Sequence, residues 1–124
     1  EVKLGLIPAV ISPYVIKAIG ERAARRYFLT AEIFDAHTAK QLGLIHQITG
    51  DLQTALDKHL QNLVNNGPIA VKAAKQLIND VAGNVIDDAL IELTAERIAR
   101  IRVSEEGQEG LTAFFEKRAP NWQK

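Results

Sequence analysis

The chain has 124 residues, of which 47% are hydrophobic and 24% charged, a composition typical of a globular domain with a core. Fifteen basic and fifteen acidic residues cancel, and the arginines of one predicted helix share it with glutamates, so we expect no nucleic-acid partner. Cysteine is absent, which excludes disulfides and Cys-ligated metals, and no apolar run approaches the roughly 20 residues of a membrane span. We therefore expect no membrane partner and a cytoplasmic location.

Two short helices are predicted near the start of the chain. Ser12 is a plausible N-cap and Pro13 suits the first helical position, while Gly20 can adopt the left-handed conformation that ends a helix. A second helix then spans 21–29. Next, Asp35 is a plausible N-cap for a third short helix that closes at Gly43.

The segment 44–48 predicts a short strand, because it is partly β-branched and is followed by the turn signal Thr49-Gly50-Asp51. From Asp51 onward the pattern becomes helical. One face of the next helix carries seven residues at helical spacing: Leu52, Ala55, Leu56, His59, Leu60, Leu63 and Val64. We expect His59 to pack in the core with its apolar neighbours.

The last three helices are marked by their ends. Gly67-Pro68 ends one helix and starts the next, and Asn84–Asp87 resembles a capping box with Asp at its last position. Ser104 begins the final helix, in which Gly107 and Gly110 lower helix propensity and suggest a packing or binding reason for small residues. The prediction is a mainly α chain of about seven helices with one or two short strands.

Three segments resemble one family. Glu1–Ala9 is similar to the "P-E-[IV]-x-L-G-[LIT]-[IV]-P" segment of the crotonase (enoyl-CoA hydratase/isomerase) family, and the likeness continues through Leu42–Ile45 and Ala113–Arg118. Crotonase subunits are roughly twice as long, so the chain looks like the C-terminal helical part of that α/β fold. Because it opens inside a motif and lacks Met, we expect a truncated or cleaved product.

The resemblance implies a hydratase that adds water to a 2-enoyl-CoA thioester. Such a reaction needs donors for the thioester oxygen and carboxyl groups for the water's protons. Glu1 maps onto one of the family's two catalytic glutamates, and the backbone N–H of Ala9 would help to fix the water. The other glutamate and both oxyanion donors precede this segment in the family, so we expect the isolated chain to be inactive.

The resemblance defines the acyl group of the substrate less closely than it defines the reaction. The family's glycine-rich loop is replaced here by Pro8–Tyr14, in which Val10 and Ile11 add apolar bulk. This variant resembles members that act on 3-methylglutaconyl-type or carboxygeranoyl-type acyl-CoA, with roles in leucine and terpene catabolism. A generic enoyl-CoA hydratase with a drifted loop is the alternative.

The last helix supplies the coenzyme A contacts that the resemblance implies. Phe114 and Lys117 match the aromatic and the lysine of "A-F-x-E-K-R", which help to bind coenzyme A, often on a neighbouring subunit. An aromatic face can pack on adenine and an ammonium can pair with phosphate. The alternatives are a core Phe114 and a solvated Lys117 at the helix end. Trp122 is expected to anchor the C-terminus by packing.

The remaining expectations concern partners and organisation. The three histidines lack metal-like spacing, so no metal and no cofactor is predicted beyond coenzyme A within the substrate. Residues 1–50 would end the catalytic core, and 51–124 would form a helical coenzyme A-binding and oligomerisation region. The parent would be a homo-oligomer, a trimer or hexamer. Two other functions stay open: an α-helical interaction module without catalysis, and an isomerase or dehalogenase of the same superfamily.

Overall fold

Six α-helices follow one another in the computed structural model, which describes residues 1–123. A single 3-10 turn, Val2–Leu4, precedes them. The helices are α1 (Ser12–Thr30), α2 (Ala36–Gln41), α3 (Leu52–Val64), α4 (Pro68–Val81), α5 (Asp88–Arg102) and α6 (Glu105–Glu116). The predicted mainly α class is confirmed, while the predicted strands do not occur within residues 1–123.

The chain divides into two compact units. The first, Glu1–Asp51, contains the 3-10 turn, α1 and α2, and the second starts at Leu52 and contains α3 to α6. This boundary lies one residue from the division predicted between residues 50 and 51. The roles predicted for the two segments stay predictions.

Helix α1 contains a break at Gly20, whose φ of 78° and ψ of 159° lie outside the helical region. The two predicted helical runs are therefore present, one on each side of this glycine. The predicted N-cap was wrong by one residue. Ile11 occupies the cap position, and the Ser12 hydroxyl donates instead to the Ala9 carbonyl oxygen, 3.0 Å away.

Helix α2 is capped as predicted, since the Asp35 carboxylate accepts a hydrogen bond from the Thr38 N–H at 2.9 Å. The strand predicted directly after it was wrong. The N–H groups of Leu44 and Ile45 donate to the Ala39 carbonyl, at 2.9 and 3.4 Å, and so close the end of the helix. A strand needs a partner to complete its hydrogen bonds, and no other strand occurs in the described part of this unit.

Side chains also cap the helices of the second unit. The last helix starts at Ser104 as predicted, and the Ser104 hydroxyl caps α6 by accepting from the Gly107 N–H at 3.1 Å. Asp87 accepts from the Leu90 N–H at 2.9 Å and is the N-cap of α5. It does not occupy the third helical position that the proposed capping box required.

A carboxylate from α6 caps α4. The Glu106 side chain accepts hydrogen bonds from the N–H groups of Ile69 and Ala70, at 3.0 and 2.7 Å. Gly67, the buried residue at the start of α4, lies so close that a β-carbon there would overlap the carboxylate. The contact places a negative charge at the positive end of α4 and ties α4 to α6.

The two glycines of α6 have packing roles, as the sequence suggested. A β-carbon at Gly107 would overlap the backbone carbonyl oxygen of Ile101. At Gly110 it would lie 3.1 Å from the edge of the Trp122 ring. Both positions therefore need a small residue because another group already occupies the space.

Small residues make up the buried part of the chain. The buried apolar residues are Ala24, Ala39 and Ala113, and no large apolar side chain among residues 1–123 is fully buried. The apolar face of α3 is exposed along its length, from Leu52 to Val64. The prediction that His59 packs in a core was therefore wrong, because the face that carries it lies open to solvent.

Replacing Gly107 by alanine should lower the free energy of unfolding by about 1–3 kcal/mol, the usual cost of forcing extra volume into a packed site. The measurement is chemical denaturation followed by circular dichroism. Gly50→Ala is the matched control, since a β-carbon there meets nothing within 4 Å. Equal stability of the two variants would contradict the packing role of Gly107.

The pKa of Asp35 is lowered, chiefly by the hydrogen bonds it accepts at Thr38. A lowered pKa in the folded state means that the cap contributes stability at neutral pH and loses it as the pH falls through that pKa. In an NMR titration, the Asp35 carboxyl should titrate below the value of about 3.9 of an exposed aspartate. Asp35→Asn, which keeps an acceptor without a charge, should remove this pH dependence from the Thr38 amide; its persistence would contradict the assignment.

Candidate functional site

Glu1 lies at the start of a folded segment. Its carbonyl oxygen accepts hydrogen bonds from the N–H groups of Leu4 and Leu6, at 2.8 and 3.2 Å. The side chain is exposed. A carboxylate in this position is accessible to a water molecule or a ligand.

The backbone N–H of Ala9 already has a partner. It donates to the carbonyl oxygen of Ile7 at 2.9 Å, across a three-residue turn. An N–H in such a turn must share or release that bond before it can hold a water molecule. The water-binding role of Ala9 stays a prediction.

An apolar cleft of about 270 Å³ lies in the first unit, between the N-terminal segment and α1. The N-terminal segment contributes Val2, Ile7, Pro8 and Ala9, and α1 contributes Ser12, Ile16, Phe28 and Leu29. Glu1 immediately precedes the cleft residue Val2 in the chain. The cleft, Glu1 and Ala9 form the candidate site of this unit.

Phe114 and Lys117 lie at the C-terminal end of α6, in the second unit. The Phe114 ring is 77% exposed and meets Phe115 edge to face, with ring centroids 5.7 Å apart. The alternative that Phe114 is a core residue is therefore wrong for the described chain. Lys117 is exposed and ends the helix in the left-handed conformation, with φ of 55°, which few residues with a β-carbon adopt.

Ion pairs hold the chain directly after Lys117. Arg118 makes two hydrogen bonds to the Glu109 carboxylate, at 2.6 and 2.8 Å, and a third to Glu116 at 2.6 Å. These bonds, first those to Glu109, raise the pKa of the Arg118 guanidinium above its usual range. Glu109 also accepts from the Asn121 N–H at 2.9 Å. These bonds hold the residues that follow Lys117 against α6.

The C-terminal tail returns to the end of α3. The Asn65 carbonyl oxygen accepts from the Trp122 indole N–H at 3.3 Å and from the Gln123 side chain at 2.6 Å. The Trp122 ring also packs against Gly110. The predicted anchoring role of Trp122 is confirmed.

Sequence reasoning missed two parts of the site. No motif marks the side chains on the helical side of the cleft, such as Ile16 and Phe28, although the break at Gly20 between them was predicted. Arg118 belongs to a quoted motif, yet only its neighbours Phe114 and Lys117 were singled out. Its position two residues after Glu116 and nine after Glu109 could have indicated an ion-pair role.

Residues 1–123 contain neither a candidate metal site nor a candidate membrane span. No group of three or more His, Cys, Asp or Glu side chains in this range is arranged to hold a metal ion. The helices of the described chain are all too short or too polar to cross a membrane.

Comparison with known proteins gives consistent matches. The model of the family described as "Enoyl-CoA hydratase/isomerase" matches residues 1–124. A putative enoyl-CoA hydratase from Thermus thermophilus is 32% identical over 98% of this chain and 49% of its own length. A mitochondrial Delta(3,5)-Delta(2,4)-dienoyl-CoA isomerase from Dictyostelium discoideum is 31% identical over 86% of this chain and 37% of its own.

A solved structure agrees with the fold. The crystal structure of an enoyl-CoA hydratase from Shewanella pealeana superposes with a TM-score of 0.92 and 58% identity, over 98% of this chain and 46% of that one. The chain thus spans about half the length of the proteins it matches. The predicted C-terminal placement within them is not confirmed, and the names of these three relatives give no support for a 3-methylglutaconyl group.

Replacing Arg118 by glutamine should loosen the turn after α6, because the two bonds to Glu109 are lost. We expect faster hydrogen exchange at the Asn121 N–H, which shares the Glu109 carboxylate, and a changed Trp122 fluorescence. Arg100→Gln is the control, since it breaks an exposed pair with Glu96 within one helix. Unchanged exchange at Asn121 in the Arg118 variant would show that the ion pairs do not hold the tail.

Proposed function

Because the chain belongs to the enoyl-CoA hydratase/isomerase family, we propose that it supplies part of an enzyme that adds water to a 2-enoyl-CoA thioester. One observation carries the proposal: an exposed carboxylate, Glu1, directly precedes the wall of an apolar cleft that also contains Ala9. Hydration needs this combination, an acid–base group beside a pocket for the hydrocarbon of the acyl group.

In the proposed reaction, Glu1 holds the water molecule and exchanges a proton with the substrate's α-carbon. A carboxylate can do both because it accepts a hydrogen bond when ionised and donates a proton when neutral. The Ala9 N–H helps to orient the water after exchanging its bond to the Ile7 carbonyl.

The oxyanion donors and the second glutamate come from family sequence that this chain does not match. Removing a single oxyanion donor costs about 2.7–4 kcal/mol of transition-state stabilisation. A chain that lacks both donors and one carboxylate is therefore inactive alone. Glu1 takes part in the proton transfer. The oxyanion donors from the rest of the family sequence stabilise the enolate.

Phe114 and Lys117 are the proposed contacts to coenzyme A. The exposed ring of Phe114 offers a face for adenine, and the Lys117 ammonium offers a charge for a phosphate. The backbone supports this role, because the ion pairs of Arg118 fix the turn on which Lys117 stands. The acyl-CoA is the only small-molecule partner in the proposal. The proposed enzyme is a cytoplasmic homo-oligomer, either a trimer or a hexamer.

Two other functions are compatible with particular observations. The exposed apolar face of α3 and a groove of about 300 Å³ between α4 and α5 favour a helical interaction module. The isomerase named among the relatives favours double-bond migration on the same scaffold. The product distinguishes the two enzymes, since only hydration adds the mass of water.

The proposal is tested in a chimaera in which this chain replaces the matching segment of the Shewanella pealeana hydratase. The chimaera should hydrate a short 2-enoyl-CoA, and Glu1→Gln should lower kcat by about 100-fold or more, the usual contribution of acid–base catalysis. The KM should change little, because the amide keeps the shape of the side chain.

Glu21→Gln is the matched control, because Glu21 is an exposed carboxylate paired with Arg25 on the helix surface. Its kcat should equal that of the unmodified chimaera. An unchanged kcat in Glu1→Gln would remove Glu1 from the mechanism, and migration of the double bond without water addition would favour the isomerase.

The 124-residue chain by itself should show no hydration. If its exposed apolar helices associate, its native mass should be at least twice the 13.7 kDa of one chain. Turnover by the purified chain at the chimaera's rate would contradict the proposed dependence on the other half of the family sequence.

A further inference from the structure

The walls of the cleft in the first unit are almost wholly hydrocarbon. Ile16 and Phe28 face it from α1, while Ile7 and Pro8 face it from the N-terminal segment. The single side-chain oxygen among its lining residues is the Ser12 hydroxyl, which donates to the Ala9 carbonyl at 3.0 Å. A ligand in this cleft meets carbon on nearly every side.

The lining residues include no cation. The nearest basic residues along the chain are Lys3, Lys17 and Arg26, and none of them lines the cleft. Arg26 is also paired with Glu32. A carboxylate drawn into the cleft would therefore lose its water without gaining an opposite charge, and such burial is strongly unfavourable.

We propose that this cleft holds the far end of the acyl chain and selects thioesters whose acyl group ends in hydrocarbon over those that end in a carboxylate. The inference rests on the proposed function, since it assumes that the ligand of Glu1 is an acyl-CoA. It points away from a 3-methylglutaconyl group, whose acyl chain ends in a free carboxylate. Phe28 and Ile16 are the residues that set this specificity.

The preference follows from two effects of the same walls. Each CH₂ that leaves water for the cleft raises affinity by about fourfold, until the cleft is full. A terminal carboxylate removes that gain, because it must stay in water or be buried without a partner.

The test compares hexanoyl-CoA with adipoyl-CoA, which have acyl chains of equal carbon number and differ in a terminal methyl or carboxylate. In calorimetric titrations of the 124-residue chain, hexanoyl-CoA should bind about tenfold or more tightly than adipoyl-CoA. Free coenzyme A measures the contribution of the nucleotide. Equal affinities, tighter binding of adipoyl-CoA, or hexanoyl-CoA binding no better than free coenzyme A would each overturn the inference.

Two substitutions locate the effect. Phe28→Lys places a cation beside the cleft and should reverse the preference toward adipoyl-CoA, whereas Ile16→Trp fills the cleft and should weaken hexanoyl-CoA alone. Ile33→Trp is the control, because Ile33 is 95% exposed and lies outside the cleft. A hexanoyl-CoA affinity that stays constant in Phe28→Lys and Ile16→Trp would overturn the assignment of the cleft.

The outcomes separate this inference from the proposed function. Binding of hexanoyl-CoA with the expected preference, together with a chimaera that does not hydrate, would contradict the proposed function and leave the cleft assignment intact. A chimaera that hydrates dicarboxylic acyl-CoA better than its monocarboxylic counterpart would contradict the inference alone. If Ile16→Trp instead dissolves an oligomer without changing acyl-CoA affinity, a second copy of the chain occupies the cleft and the inference fails.

Discussion

The second unit depends on one carboxylate. Glu106 reaches from the first turn of α6 to the free N–H groups at the start of α4, and these groups have no partner within their own helix. Its charge also opposes the positive end of the α4 dipole. At its observed position the carboxylate leaves no room for a β-carbon at Gly67. This polar interaction thus links the first turns of the two helices.

Such a polar constraint matters more here than in a domain with a large core. The buried apolar residues of the described chain are alanines, and its leucines, isoleucines and phenylalanines are largely exposed. Hydrophobic burial ordinarily supplies most of the stability of a folded domain. Caps and ion pairs fix the local geometry of each unit, and the exposed faces leave most of that burial to be completed by a partner. This agrees with a chain that spans about half the length of its relatives.

Local signals predicted the parts of the structure that depend on neighbouring residues. The cap at Asp35, the helix start at Ser104 and the break at Gly20 were predicted correctly, because each is determined within three or four positions of sequence. The strand at 44–48 was not, since a strand depends on a partner elsewhere in the fold. Glu106 was missed for a similar reason: its partners lie 36 and 37 residues away, and no periodicity records that distance.

The candidate site divides in the same way. Its reactive groups, Glu1 and Lys117, were found by resemblance to a family. A sequence motif identifies the residues that carry the chemistry but not their positions in space. The cleft and the ion pairs of Arg118 became visible only in three dimensions. The exposed ring of Phe114 could not be predicted from pattern either, because an aromatic residue on a helix has the same spacing in a core and at a binding surface.

The break in α1 has a consequence for how this cleft can change in evolution. Ile16 and Phe28 lie on opposite sides of Gly20, so the separation of two walls is determined by the torsion angles of one residue. Those angles belong to a region that glycine alone adopts with ease. Replacing Gly20 by any residue with a side chain would therefore strain the backbone. New acyl lengths must arise by exchanging side chains on walls whose spacing stays constant, so specificity can diversify while the backbone is inherited unchanged.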